Sequence, residues 1–172
     1  ISEMLARTRT EVTNIRHRMT PGFDGIHPEP IARNLQQLMS IIKSGHYTLG
    51  LATAGDADRI GAVDNNGSFV DPHRIFSLIL QYLIEKRGMR GKVVRSVSTT
   101  RMIDRICAKH GLEVFEVPVG FGLIADLMMT DDILMGGEES GGMSIKGHIP
   151  EGDGILMGLL LLEVVGDAKR PL

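Results

Sequence analysis

The chain has 172 residues, 42% of them hydrophobic and 23% charged, with a formal net charge of −2, which suits one ordinary globular domain or two small ones. No Trp, two Tyr, five Phe and this near-neutral balance leave neither the basic footprint nor the aromatic surface that nucleic acid or an anionic membrane would need, so neither partner is expected. A lone Cys107 excludes an intramolecular disulfide and reads as a buried structural thiol. The longest apolar run, 155–162, is interrupted by Gly158 and too short to span a bilayer, and no secretory signal opens the chain, so a cytoplasmic setting is expected.

In chain order, residues 1–9 read as the middle of a helix with Met4 and Leu5 as its apolar residues. With no initiator Met, the chain is expected to start inside a longer polypeptide. A strand is expected over 11–19, then a Pro/Gly-rich loop over 20–30. Pro30 suits a first helical turn, and Ile31, Leu35, Leu38 and Ile42 follow at helical spacing until Gly45. Residues 48–53 and 60–63 read as strands on either side of a small-residue loop, with a turn at Asn65-Asn66-Gly67. Asp71-Pro72 pairs an N-cap with a first-turn proline ahead of a helix carrying Ile75, Ile79 and Leu83, which Gly88 ends. From residue 92 strands (92–97, 112–119, 133–135) alternate with helices (100–110, 123–129, 155–165). Such alternation predicts α/β layers on a largely parallel sheet. A boundary is expected near 66–69, between an incomplete first α/β unit and a nearly complete second one.

Three loops carry candidate chemistry. In Asp56-Ala57-Asp58-Arg59, two carboxylates two residues apart on a small-residue turn can converge on one hard cation, for which Mg²⁺ beside a phosphate is the natural choice. Arg59 adds a planar fork that suits a phosphoryl group; the plain alternative is a solvated acidic turn. Gly136-Gly137-Glu138-Glu139-Ser140-Gly141-Gly142 lets a backbone approach a ligand closely, and its carboxylate and hydroxyl can hold vicinal sugar hydroxyls; the alternative is a flexible polar loop. Gly120-Phe121-Gly122 precedes a helix whose N–H groups could cradle phosphate. With Ala125 it also satisfies the dinucleotide pattern G-x-G-x-x-A, which keeps a nicotinamide-nucleotide-binding domain as the second reading.

Together these loops resemble the α-D-phosphohexomutases, the phosphoglucomutase/phosphomannomutase family, over almost the whole chain. His27-Pro28-Glu29-Pro30 with Asn34-Leu35 is similar to that family's H-P-E-P…N-L segment. Asp56-Ala57-Asp58-Arg59 is similar to the end of its D-G-D-A-D-R metal loop, Gly137-Glu138-Glu139-Ser140-Gly141 to its G-E-x-S-G sugar loop, and Val119-Gly120-Phe121 to the start of its G-F-K or G-F-N loop. The resemblance implies two α/β units of the phosphohexomutase type with mixed, largely parallel sheets. Residues 1–68 would be the C-terminal part of the family's second domain, and 69–172 its third. It implies an isomerase that interconverts hexose 1- and 6-phosphates through a phosphoserine and a bisphosphate intermediate. Asp56 and Asp58 would hold Mg²⁺, Arg59 would orient the transferring phosphoryl group, and Glu138, Ser140, Gly120 and Phe121 would hold the hexose phosphate.

Departures from the family pattern shape the remaining expectations. Ala54 stands where the metal loop has its first Asp, which should weaken Mg²⁺, and Gly122 stands where the third loop carries Lys or Asn. No serine loop and no distal phosphate loop of the family's type are present, so the chain is expected to be a central fragment, inactive alone, whose incomplete first unit could recruit a second copy. His27, His148 and Lys146 read as loop-bracing residues, and the pattern leaves open whether Glu139 faces the sugar or points away.

Overall fold

The computed structural model describes residues 1–169 and 172. Its N-terminal stretch is less regular than the sequence pattern predicts. Only one helical turn, α1 (Ser2–Leu5), forms where a helix over 1–9 is expected. The strand expected over 11–19 does not form. Val12 and Ile15 have the right residue type, but a strand exists only where a neighbour takes its hydrogen bonds, and here Val12 is exposed and Met19 is 98% exposed. The chain then makes two 3₁₀ turns, Phe23–Gly25 and Ala32–Asn34, before α2 (Gln36–Ser44). Leu35, at φ −101° and ψ 14°, separates the second turn from α2, so the helix expected from Pro30 onward starts late.

The first sheet has three strands in the order β1 (Leu49–Thr53), β2 (Ile60–Asp64), β3 (Phe69–Val70), each antiparallel to its neighbour. The short connections permit nothing else, because a parallel crossover needs a dozen residues or more. The turn at Asn65-Asn66-Gly67 forms as expected: the Asp64 carboxylate accepts from the N–H groups of Asn66 (2.9 Å) and Ser68 (2.8 Å), and Gly67 takes φ +81°.

Asp71 caps α3 (Pro72–Glu85), accepting from the Arg74 N–H at 3.0 Å. Then follow β4 (Lys92–Ser96), α4 (Met102–His110), β5 (Val114–Val117), α5 (Phe121–Thr130), β6 (Ile133–Gly137), β7 (Met143–Ile145) and α6 (Gly154–Ala168). Gly111 ends α4 in the left-handed region at φ +67°. The second sheet has the order β5-β4-β6-β7, with β5, β4 and β6 parallel and β7 antiparallel, so it is mixed and largely parallel as expected. β7 has no counterpart in the sequence reading, because three residues carry no periodicity.

Alternation along β4 builds the layers. Val93 faces a large core shared with α3, α4 and α6, whereas Val94 faces a smaller one with Ile124 of α5 and Ile133. The large core continues into the first sheet through Ile60, Ala62 and Val70, which pack with Ile75, Met157, Leu160 and Leu161. Residues on both sides of 66–69 therefore share one apolar interior, and α6 contacts strands of both sheets. β4 has β5 on one side and β6 on the other, so the chain reverses its winding there. The loops after β5 and β6 leave from the carboxyl ends of these strands, where open α/β sheets form a crevice. No helix among the described residues is long and apolar enough to cross a membrane.

Candidate functional site

The loop between β1 and β2 is closed on itself. The Ala54 N–H donates to the Arg59 carbonyl at 3.0 Å, and the Ala57 N–H to the Ala54 carbonyl at 3.0 Å. Ala57 takes φ +63°, a conformation that a non-glycine residue holds only when its surroundings enforce it. Here the enforcement comes from α6, whose first residue, Gly154, donates its N–H to the Ala57 carbonyl at 2.8 Å. This curl brings the Asp56 and Asp58 carboxyls together. The Asp58 carboxyl beside it holds Asp56 below its ordinary value, while desolvation and the neighbouring Asp56 push Asp58 above its own. Arg59 donates from Nε to Asp58 Oδ1 at 3.2 Å and lies 3.5 Å from Glu29 through Nη1.

The glycine-rich loop after β6 makes a tight turn, with Glu138 N–H to the Gly142 carbonyl at 2.9 Å and Gly141 N–H to the Glu138 carbonyl at 3.2 Å. It is stitched directly to the acidic loop. Arg59 and Gly142 form an isolated antiparallel bridge, and Ile60 N–H donates to the Gly141 carbonyl at 3.3 Å. Gly141 sits at φ +100°, and a Cβ there would lie 2.7 Å from the Ile60 carbonyl oxygen, so both conformation and contact demand glycine.

The loop before α5 joins the same cluster. Glu138 Oε1 accepts from the Gly120 N–H at 2.6 Å, and the Phe121 ring covers Gly142, where a Cβ would meet it at 3.4 Å. Glu138 is 8% exposed, so most of its reach is committed to this contact. That contact counts against the dinucleotide reading, because one N–H at the start of α5 is already held by a carboxylate. Glu139 points the other way. Its Oε2 accepts from Ser96 Oγ at 2.8 Å, and Ser96 is in turn 2.8 Å from Thr99 Oγ1. Burial pushes the Glu139 carboxyl up, but the hydrogen bonds from Ser98 and Ser96 prevail and hold it below its ordinary value.

Asp56, Asp58, Arg59, Gly120, Glu138 and Ser140 thus lie on three loops bound to one another, with Phe121 opening α5 beside them and the start of α6 as a fourth wall. The sequence reading missed that fourth wall. Asp153 caps α6, accepting from the Leu156 N–H at 2.8 Å, and the missed signal was this capping residue ahead of the apolar run. A Cβ on Gly154 would lie 2.3 Å from the Arg59 carbonyl oxygen, so the helix can meet the acidic loop only through glycine. The reading also missed Glu29 as a partner of Arg59. Of the bracing residues, His148 pairs with Asp153 at 2.9 Å, Lys146 pairs with Asp132, and His27 lies 3.5 Å from Glu29. Cys107 is fully buried, and burial, with Asp104 nearby, pushes its thiol up to about 11, as a structural thiol requires.

An acidic loop, a glycine-rich carboxylate–hydroxyl loop and a glycine-led helix gathered at strand ends define the class of mixed α/β proteins that carry their site loops there. Comparison with known proteins narrows the class to a family. The family model described as phosphoglucomutase/phosphomannomutase, alpha/beta/alpha domain II matches residues 1–67, and that of domain III matches residues 71–172. Phosphoglucomutase 1 of Drosophila melanogaster is 34% identical over 161 residues, which cover 91% of this chain and 28% of that protein. The crystal structure of a putative phosphomannomutase from Thermus thermophilus superposes with a TM-score of 0.86 at 38% identity, covering 91% of this chain and 36% of that one. At 16% identity, the fold is also that of Aspergillus fumigatus N-acetylphosphoglucosamine mutase, solved with GlcNAc-6P and magnesium, with a TM-score of 0.58 over 87% of this chain and 39% of that one. The chain belongs to the phosphoglucomutase/phosphomannomutase family, the α-D-phosphohexomutases. It spans about a third of the length of the curated relatives that it matches.

Proposed function

We propose that this chain supplies the metal-holding and sugar-holding walls of a phosphohexomutase cleft, within an enzyme that interconverts hexose 1- and 6-phosphates. Residues 1–68 correspond on this reading to the end of the second domain and 69–172 to the third. What supports the reading above all is the Arg59–Gly142 bridge, which fastens the acidic loop to the carboxylate–hydroxyl loop within one crevice.

Each side chain has a task that follows from its place. Glu138, fixed by the Gly120 N–H, presents its second oxygen as an acceptor for a sugar hydroxyl, and Ser140 presents a hydroxyl that can donate or accept. Both contact the ring and not the phosphate, so a hexose can be held with either end toward the transfer site. Phe121 offers a ring beside them for the sugar's apolar face. Arg59 directs its remaining N–H groups at phosphoryl oxygens, where a charge-assisted fork is strongest.

Among the described residues no group of three or more His, Cys, Asp or Glu is arranged to hold a metal, and Asp56 and Asp58 supply two carboxylates. That donor set fits Mg²⁺, an ion commonly held by one or two carboxylates together with substrate phosphate oxygens. Asp56 and Asp58 would hold it, and when bound it would neutralise charge on the transferring phosphoryl group.

Calorimetric titration of glucose 1,6-bisphosphate in Mg²⁺ tests the reading. Glu138→Gln and Ser140→Ala are each expected to weaken binding by about 1–3 kcal/mol, the cost of leaving a polar partner unpaired. Binding unaffected by both substitutions would contradict it.

A further inference from the structure

The His27-Pro28-Glu29-Pro30 segment and Asn34 have no task in the site described so far, yet the fold locks them against the acidic loop. The Pro28 carbonyl accepts from the Gly55 N–H at 3.1 Å. Pro30 is buried, and a Cβ on Gly61 would lie 2.3 Å from its carbonyl oxygen, so β2 is seated directly on this segment. The Glu29 carbonyl accepts from Asn34 Nδ2 at 3.0 Å and from the Ile31 N–H at 2.9 Å, while the Glu29 N–H donates to the His27 carbonyl at 2.9 Å. Prolines on either side restrict the backbone further. Glu29 is therefore held from a rigid support, and its carboxylate faces two guanidinium groups, Arg59 Nη1 at 3.5 Å and Arg33 Nη2 at 3.8 Å, with the His27 ring Nδ1 at 3.5 Å.

We infer that Glu29 is a positioning residue for Arg59: with Asp58 it grips two corners of the guanidinium and turns the third toward the phosphoryl group. This rests on the phosphohexomutase reading for what Arg59 meets, but not for how Arg59 is held. Asp58 accepts from Nε, Glu29 lies in ion-pair range of Nη1 at 3.5 Å without a hydrogen bond, and Nη2 donates to no acceptor among the described residues. With Asp58 alone the guanidinium could still swing about its Cδ–Nε bond, and its Nη groups could exchange by rotation about Nε–Cζ more easily. A fork aimed at a phosphoryl oxygen loses its bidentate geometry on such a pivot, and misplacement by about 1 Å can cost roughly a hundredfold in rate. The Pro-Glu-Pro segment accordingly does for Arg59 what the Gly154 contact does for Asp56 and Asp58.

Charge and position make opposite demands, which gives a decisive test. Glu29→Gln removes a negative charge beside the anion site, so a purely electrostatic role would tighten anion binding, whereas a positioning role weakens it. In the ¹⁵N-labelled chain, rotation about the Arg59 Nε–Cζ bond is measured by NMR, with the resonance assigned through Arg59→Lys. Glucose 1,6-bisphosphate binding with Mg²⁺ is measured by calorimetry. In Glu29→Gln, rotation is expected to speed up by roughly two- to fivefold, and bisphosphate binding to weaken several-fold. Unchanged rotation, or equal or tighter binding in Glu29→Gln, overturns the inference. A wild-type chain that binds no bisphosphate contradicts the phosphohexomutase reading of the site, and the rotation measurement then decides the role of Glu29 by itself.

Discussion

Gly141 and Ala54 show how single positions govern the cluster in opposite ways. At φ +100°, with the Ile60 carbonyl 2.7 Å from where a Cβ would stand, Gly141 cannot become alanine without separating the two functional loops. Gly141→Ala is expected to cost about 2–4 kcal/mol, combining left-handed strain with the displaced contact. A urea midpoint within error of wild type would show that the loops are joined less tightly than the Arg59–Gly142 bridge implies. Ala54 is 3% exposed in the wall of the acidic loop. A carboxylate there is buried without a partner unless a cation joins it to Asp56 and Asp58. Ala54→Asp is therefore expected to lower stability by about 1–3 kcal/mol in EDTA and to recover much of it in millimolar Mg²⁺. Thermal melts with and without Mg²⁺ check this, and equal destabilisation in both would place residue 54 outside the cation's reach.

Elements here are fixed by their ends more than by their middles, which explains what the sequence disclosed. Asp71-Pro72 and Gly111 announce the start of α3 and the end of α4, because capping chemistry is local. β7 and the false strand over 11–19 were illegible for the converse reason: pairing depends on neighbours distant in sequence. The same division holds for the site. Residue types at Asp56, Asp58, Glu138 and Ser140 could be picked out from local pattern. The Glu138–Gly120 bond, the turn of Glu139 toward Ser96 and the grip of Glu29 on Arg59 join residues 18, 43 and about 30 positions apart, and only the fold brings them together.

β4, α4 and β5 are also tied by Arg95, 3% exposed, which donates to Asp104 at 2.7 and 2.9 Å and pairs with Glu116 at 2.8 Å. Arg95 holds the Asp104 carboxyl below its ordinary value. A depressed native pKa means that this stabilisation is present above the unfolded value near pH 4 and is lost as pH falls through the native one. Asp104→Asn should therefore flatten the loss of stability on acidification below about pH 4. An unchanged acid profile, followed by circular dichroism, would show that the pair does not couple α4 to the sheet.

At the scale of the whole molecule, α6 decides the architecture. It packs against both sheets through Met157, Leu160 and Leu161, and its first residue meets the acidic loop. The apolar face of β2 is covered by α3 and α6, which burial of every β2 residue makes plain. Continuity of the core is what lets four chain segments share one crevice.

A single titration tests that shared site most directly. Backbone amide resonances of the ¹⁵N-labelled chain are followed by NMR as Mg²⁺ and then glucose 1,6-bisphosphate are added, with NADH in a parallel sample. Mg²⁺ should shift the amides of Gly55 to Arg59 first, and the bisphosphate should then move Gly120, Phe121 and Glu138 to Gly142 together, while NADH leaves all of them in place. Shifts confined to one loop, or NADH moving Gly120 to Ala125 where the bisphosphate does not, would contradict a phosphohexomutase site built from these loops.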